Sequence, residues 1–98
     1  MIRELIFHPE ARQDVGNAAF WYEDRSAGLG SDFLRSVDAG LAQIRRTPQV
    51  FPIVDGSIRR ALLRRFPYAV YFVDSPEQIR VLACLHVRQN QERWQQRG

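Results

Sequence analysis

Residues 68–87, YAVYFVDSPEQIRVLACLHV, decide the fold. From Tyr68 to Val73 the side chains alternate. Ala69, Tyr71 and Val73 share one side and Tyr68, Val70 and Phe72 the other, as the two-residue period of a strand requires. Asp74-Ser75-Pro76 turns the chain. Ile79 to Val87 alternates again and is the clearest strand of the sequence. Ile79, Val81, Ala83, Leu85 and Val87 are expected on one face, with Arg80, Leu82, Cys84, His86 and Arg88 on the other.

Upstream, Ile58 to Leu63 reads as a further strand, rich in arginine. Before it, residues 48–57, PQVFPIVDGS, hold two prolines and an Asp-Gly and are expected to form a loop. Two helices precede the loop. Pro9 suits a first helical turn, where its missing N–H costs nothing. Ala11, Val15, Ala18 and Tyr22 then recur at spacings of four, three and four, which makes one helical face. Phe20 and Trp21 lie off that face. For aromatics core burial is the first expectation, and exposure would instead mark a binding surface. Gly28-Leu29-Gly30 breaks this helix, and Ser31 is expected to cap the next, with Asp32 in its first turn. Phe33, Val37, Leu41 and Ile44 make the second buried stripe, and Thr47-Pro48 ends it. Arg3 to Phe7 is a short first strand. Asn90 is expected to cap a short terminal helix whose Trp94 folds back onto the body. The order is β-α-α-β-β-β, an α+β domain with a helical hairpin laid on one face of a mostly antiparallel sheet. The other face should be only partly covered and should carry His86 and the arginines.

Composition narrows the class. Ninety-eight residues make one domain, residues 1–98. No apolar run approaches the ~20 residues of a membrane span, and the charged N-terminus does not read as a signal peptide. One cysteine excludes an internal disulfide, which points to a reducing cytoplasm. No His/Cys/Asp/Glu set has metal-ligand spacing and no glycine-rich phosphate loop exists, so no metal and no cofactor is expected. All fourteen basic residues are arginine. Residues 1–55 hold six arginines against eight acids, and residues 56–98 eight against three, nets of −2 and +5. Such asymmetry points to an anionic partner, either nucleic acid or an acidic protein segment.

Several stretches together resemble the RelE/ParE toxin superfamily of type II toxin–antitoxin systems, and within it the ParE-like or plasmid-stabilisation proteins. They are HPEA at the first helix, Trp21-Tyr22 near its end, GLG before the second helix, RRTPQVFPIV after it, and above all IRRALLRRFPYAVYF with VLACLHVRQNQERW. The resemblance runs in order over nearly the whole chain. It implies a β-α-α-β-β-β fold, a cognate antitoxin bound in a hetero-oligomer, and growth inhibition by the free toxin. ParE-type members are linked to DNA gyrase poisoning, whereas RelE-type members cut messenger RNA on the ribosome with lysines, arginines and a C-terminal tyrosine or histidine. This chain has no lysine, and it has Tyr68 where some RelE relatives carry a catalytic arginine. The gyrase-directed toxin therefore leads, a ribosome-dependent endonuclease is the alternative, and a non-toxic binding module of the same fold is the third reading.

The site residues divide accordingly. His86 and Arg88, at i and i+2 on a strand, should share a face. If the chain is a nuclease they are its catalytic pair, one moving a proton and the other holding phosphate; the bland reading is a hydrogen-bonded histidine beside a solvated arginine. Arg59, Arg60, Arg64 and Arg65 are candidates to bind the antitoxin's acids or to track phosphate, with Tyr68 able to stack a base. Trp21 is a candidate contact for antitoxin or target. In the tail, Trp94 and Arg93 are candidates to bind antitoxin or target, with Trp94 expected to be a peg that pins the segment and Arg88, Arg93 and Arg97 either solvated or offered to the target. Cys84 is expected to be a small core residue.

Overall fold

The computed structural model describes residues 3–88 together with Arg97. The elements follow the expected order with one addition: β1 (Glu4–Phe7), α1 (Pro9–Arg25), α2 (Leu29–Arg46), a 3-10 turn (Pro48–Val50), β2 (Ile53–Asp55), β3 (Ile58–Leu62), β4 (Tyr68–Asp74) and β5 (Gln78–His86). The segment expected to be wholly loop thus contains a turn and a short edge strand. β2 pairs only Ile53 with Arg59 and Asp55 with Ile58, and three residues between two prolines and a glycine leave no alternation to read. The five strands lie in the order β1-β5-β4-β3-β2. β1 runs parallel to β5 and every other pair is antiparallel. The expected terminal helix and Trp94 lie outside the described residues.

Both helices bury the stripes read from the sequence. α2 buries Phe33, Val37, Leu41 and Ile44, and α1 buries Ala11 and Ala18 with Val15 and Tyr22 packed alongside. This face of the sheet contributes Ala61, Val70, Phe72, Ile79, Val81 and Cys84. α2 begins earlier than Ser31, at Leu29, because Glu23 of α1 supplies the cap. Its carboxylate accepts the N–H of Gly28 at 2.9 Å and of Gly30 at 3.0 Å. Gly28 takes φ 89°, and Gly30 packs so closely that a Cβ there would stand 2.6 Å from the Ala19 carbonyl oxygen.

The strict alternation expected along β5 fails at Leu82. Tyr71 pairs with Ala83 and Phe72 with Val81, so Leu82 is an extra residue, a β-bulge. One inserted residue reverses the phase. Ile79 and Val81 face the helices, but so do Cys84 and His86, while Leu82, Ala83 and Leu85 turn to the other side. That second face carries Arg60 and Arg80, as expected of the arginines, but not His86, and it is more fully buried than expected. Ile58, Ala69, Tyr71, Leu82, Ala83 and Leu85 form a second buried cluster there. No helix among the described residues is long and apolar enough to cross a membrane.

Candidate functional site

β1 ends at Phe7, opposite Val81, and the chain lifts off the sheet at His8, whose N–H donates to the Val81 carbonyl at 2.8 Å. The His8 Nδ1 accepts the Glu10 N–H at 3.1 Å and Pro9 fills the first helical position, so α1 starts at once. β5 continues five residues further, 82–86, with α1 crossing beside it instead of a strand. Between α1 and the far ends of β4 and β5 lies an open cleft of about 500 Å³. Asp14, Asn17, Trp21 and Tyr22 of α1 line one wall, and Pro67, Tyr68 and His86 the other.

Its walls are largely aromatic. Trp21 meets Tyr22 edge to face at 5.1 Å between ring centres, Tyr22 meets Tyr68 at 6.0 Å, and Tyr68 meets His86, its cross-strand partner, at 5.4 Å. Burial raises the pKa of Tyr22, and burial followed by the charges of Tyr22 and Cys84 raises that of Tyr68, so both hydroxyls remain donors at neutral pH. Burial, then the charge of Asp14, pushes the Cys84 thiol up to about 12, which leaves it un-ionised and a poor nucleophile, the core residue expected. His86 accepts the Arg88 backbone N–H on Nδ1 at 3.1 Å, which leaves Nε2 to carry the ring proton of the neutral form.

The floor is held by an ion pair. The Asp14 carboxylate accepts the Cys84 N–H at 3.1 Å, serving the strand edge that β1 leaves, and pairs with Arg97 Nη1 at 2.6 Å. Arg97 also reaches Glu10 at 2.8 Å and the Leu82 carbonyl at 3.2 Å. Burial opposes its charge, but the hydrogen bond and charge of Asp14, with those of Glu10, raise its pKa overall. Its side chain is only 6% exposed. Arg97 is therefore not the solvated tail arginine expected from the sequence.

The other site residues are not gathered in one place. Trp21 lines the cleft and is 50% exposed, with Arg25 stacked over its ring at 4.1 Å; Phe20 beside it is 77% exposed, so core burial fails for both. Their neighbours on α1 explain this, because the buried stripe passes through Ala18 and Tyr22. Arg88 lies past the end of β5 and does not share a strand face with His86, since Val87 and Arg88 form a turn, with the Val87 N–H on the Pro67 carbonyl at 2.9 Å. Arg59 and Arg60 point to opposite faces of β3. Arg59 Nη1 donates to the Phe51 carbonyl at 2.6 Å and pins the 3-10 turn, whereas the buried Arg60 Nε finds no partner among the described residues. Arg64 and Arg65 sit on the β3–β4 loop, away from the cleft. Arg93 and Trp94 lie outside the described residues. Asp14 and Asn17 were missed in the sequence, where they look like solvated positions beside an apolar stripe. Among the described residues no group of three or more His, Cys, Asp or Glu side chains is placed to hold a metal ion.

No protein-family model and no curated protein matches the chain. A solved structure does: a chain of the chromosomal ParDE toxin–antitoxin system from P. aeruginosa, with a TM-score of 0.63. The two share 19% of their residues, and the match covers 87% of this chain and 96% of that one. At this identity the likeness is one of fold, and the fold is the one that the resemblance implied.

Proposed function

We propose that this chain is the toxin of a ParE-like toxin–antitoxin pair, which arrests growth by binding its target and is neutralised by a cognate antitoxin. The observation that carries the reading is the fold shared over 96% of the ParDE chain. The sequence adds its own support, since RRFPYAVYF and the LHxR pattern resemble that branch independently of the geometry.

The cleft favours binding over phosphate chemistry. Cleavage of RNA through its own 2′-OH needs a proton acceptor and a cation at the scissile phosphate. For the first need the cleft holds His86, whose Nδ1 already accepts the Arg88 N–H, while the Tyr68 hydroxyl stays protonated. For the second, none of the described residues lining the cleft is an arginine, and Arg97 at its floor is engaged by Asp14 and Glu10. What the cleft offers instead is aromatic surface, exposed at Trp21 with Phe20 exposed outside the lining beside it, of the kind that anchors protein interfaces. DNA gyrase is the proposed target on the strength of the ParE resemblance.

The test is inducible expression in cells lacking any antitoxin, with and without the adjacent reading frame. Growth arrest relieved by the neighbour's product is expected, together with linearised plasmid in a gyrase cleavage assay. Discrete cuts in translated messenger RNA, abolished by His86→Ala, would instead establish the endonuclease. Growth without arrest would leave the non-toxic binding module.

A further inference from the structure

The two helices hold three glycines, and two of them answer to contacts within the chain. A Cβ on Gly30 would stand 2.6 Å from the Ala19 carbonyl oxygen, and one on Gly40 3.0 Å from Leu63 Cδ2. Gly16, in the middle of α1, meets nothing within 4 Å. A glycine there weakens its helix relative to alanine, because it gives up more backbone freedom on ordering. No contact among the described residues requires it.

One turn further on stands Phe20, 77% exposed. α1 packs on α2 and on β5, and its buried stripe runs through Ala11 and Ala18, away from both Gly16 and Phe20. Residues 12, 16, 20 and 24 follow one another at steps of four, which in an α-helix makes a single ridge that turns only about 40° per step. All four are exposed. In order they read Arg, Gly, Phe, Asp: a cation, a gap, a large apolar ring and an anion. Arg12 lies over the Phe7 ring at 4.8 Å, and neither it nor Asp24 forms an ion pair among the described residues.

We propose that this ridge is the docking surface for a second copy of the chain, α1 lying antiparallel on α1 to form a two-fold dimer. The order of the four residues selects a copy of itself. A two-fold axis between Gly16 and Phe20 seats each Phe20 in the gap over the partner's Gly16. The same axis carries each Arg12 to the partner's Asp24, about 9 Å of helix from the centre on either side. Such reciprocity is what an isologous interface requires. Antiparallel alignment also sets the two helix dipoles favourably. A nucleic acid gains nothing here, because the arginine and the aspartate of the ridge cancel. Trp21, which faces the cleft, takes no part, and the inference does not rest on the toxin reading.

Sedimentation equilibrium of the full chain from about 1 to 500 µM should show a reversible monomer–dimer transition, weak because each copy offers one helix. Phe20→Ser removes an exposed side chain and should raise the dissociation constant at least about tenfold with the fold intact. Gly16→Gln should raise it as much, yet increase the melting temperature of the dilute monomer, opposite signs that a merely structural glycine would not give. The sharpest arm is a charge exchange. Arg12→Asp and Asp24→Arg should each be monomeric alone, since each sets like charges together twice across the axis. Mixed in equal amounts they should form a heterodimer, because both cross-axis contacts then join opposite charges. A chain that stays monomeric throughout, a dimer indifferent to Phe20→Ser, or charge variants that fail to associate on mixing would overturn the proposal. Dimerisation does not require toxicity. A chain that dimerises in this way without arresting growth keeps the dimer and loses the toxin, and growth arrest by a strictly monomeric chain does the opposite.

Discussion

Arg97→Ala should be among the most damaging single changes outside the apolar core. The Arg97 side chain is 6% exposed and that of Asp14 8%, so their contact is largely shielded from water. Breaking a buried pair by removing one partner typically costs about 3–5 kcal/mol, since the remaining charge is left uncompensated. Asp14 keeps the Cys84 N–H, so the low end applies, about 3 kcal/mol. The bond to Glu10 adds little, because that carboxylate is 57% exposed and screened. In a domain of this size each kcal/mol lowers the melting temperature by about 4–8 °C, so a loss of at least roughly 12 °C is expected by differential scanning calorimetry. Asp14→Ala should cost about as much, because it leaves Arg97 only the exposed Glu10 and the Leu82 carbonyl and also uncaps the strand edge. The double variant should cost less than the sum of the two, with a coupling of more than about 1 kcal/mol. If Arg97→Ala melted within about 2 °C of the parent, as a solvated surface arginine would, the clamp would not exist and the floor of the cleft would need another account.

Two further outcomes test the packing and the electrostatics. Gly30→Ala should destabilise by about 1–2 kcal/mol in urea titrations, since its Cβ would collide with the immovable Ala19 carbonyl oxygen at 2.6 Å and overpacking outweighs the helical preference for alanine. Gly16→Ala, which meets nothing within 4 Å, should stabilise by up to about 1 kcal/mol; equal gains at both sites would refute the close approach of the helices. For Cys84, the thiol titrates near 9.0 in the unfolded chain and about 12 in the fold, so its protonated form contributes fully below pH 9. Above that the unfolded state alone ionises, and stability falls by up to about 1.4 kcal/mol per pH unit until the folded thiol ionises as well. Unfolding free energies between pH 9 and 10 should therefore fall more steeply for the parent than for Cys84→Ala, and matching slopes would mean the thiol is not buried.

The helices were legible because each carries one residue type on one stripe. Phe33, Val37, Leu41 and Ile44 recur at helical spacing on a helix whose other positions are mostly small, polar or charged, so a single periodicity explains the segment. The start of α2 was not legible, because its cap comes from another helix. Nothing in the sequence between Gly28 and Gly30 shows that Glu23, five and seven residues back, will satisfy both N–H groups. The burial of Arg97 was hidden for the same reason at longer range, since its partners Asp14 and Glu10 lie more than eighty residues away.

The bulge at Leu82 shows most clearly where a period-two reading runs out, and it bears directly on function. Around it the sequence reads Val81-Leu82-Ala83-Cys84-Leu85, apolar at every position, so sliding the phase by one residue exposes no charge and buries none. Only pairing to β4 settles it, through Phe72 on Val81 and Tyr71 on Ala83. The consequence falls on His86. In unbroken alternation it would stand with Arg80 on the face away from the helices, in the company of arginine and suited to phosphate. The extra residue carries it to the helical side, against Tyr68 and opposite Trp21 and Asp14. A histidine that would have looked like half of a nuclease pair thereby becomes one wall of an aromatic cleft. The same insertion sends Leu82 and Ala83 together into the second buried cluster, which a strictly alternating strand would not have completed. One unpaired residue thus both completes the buried cluster of the far face and sets His86 in the wall of the aromatic cleft rather than beside Arg80.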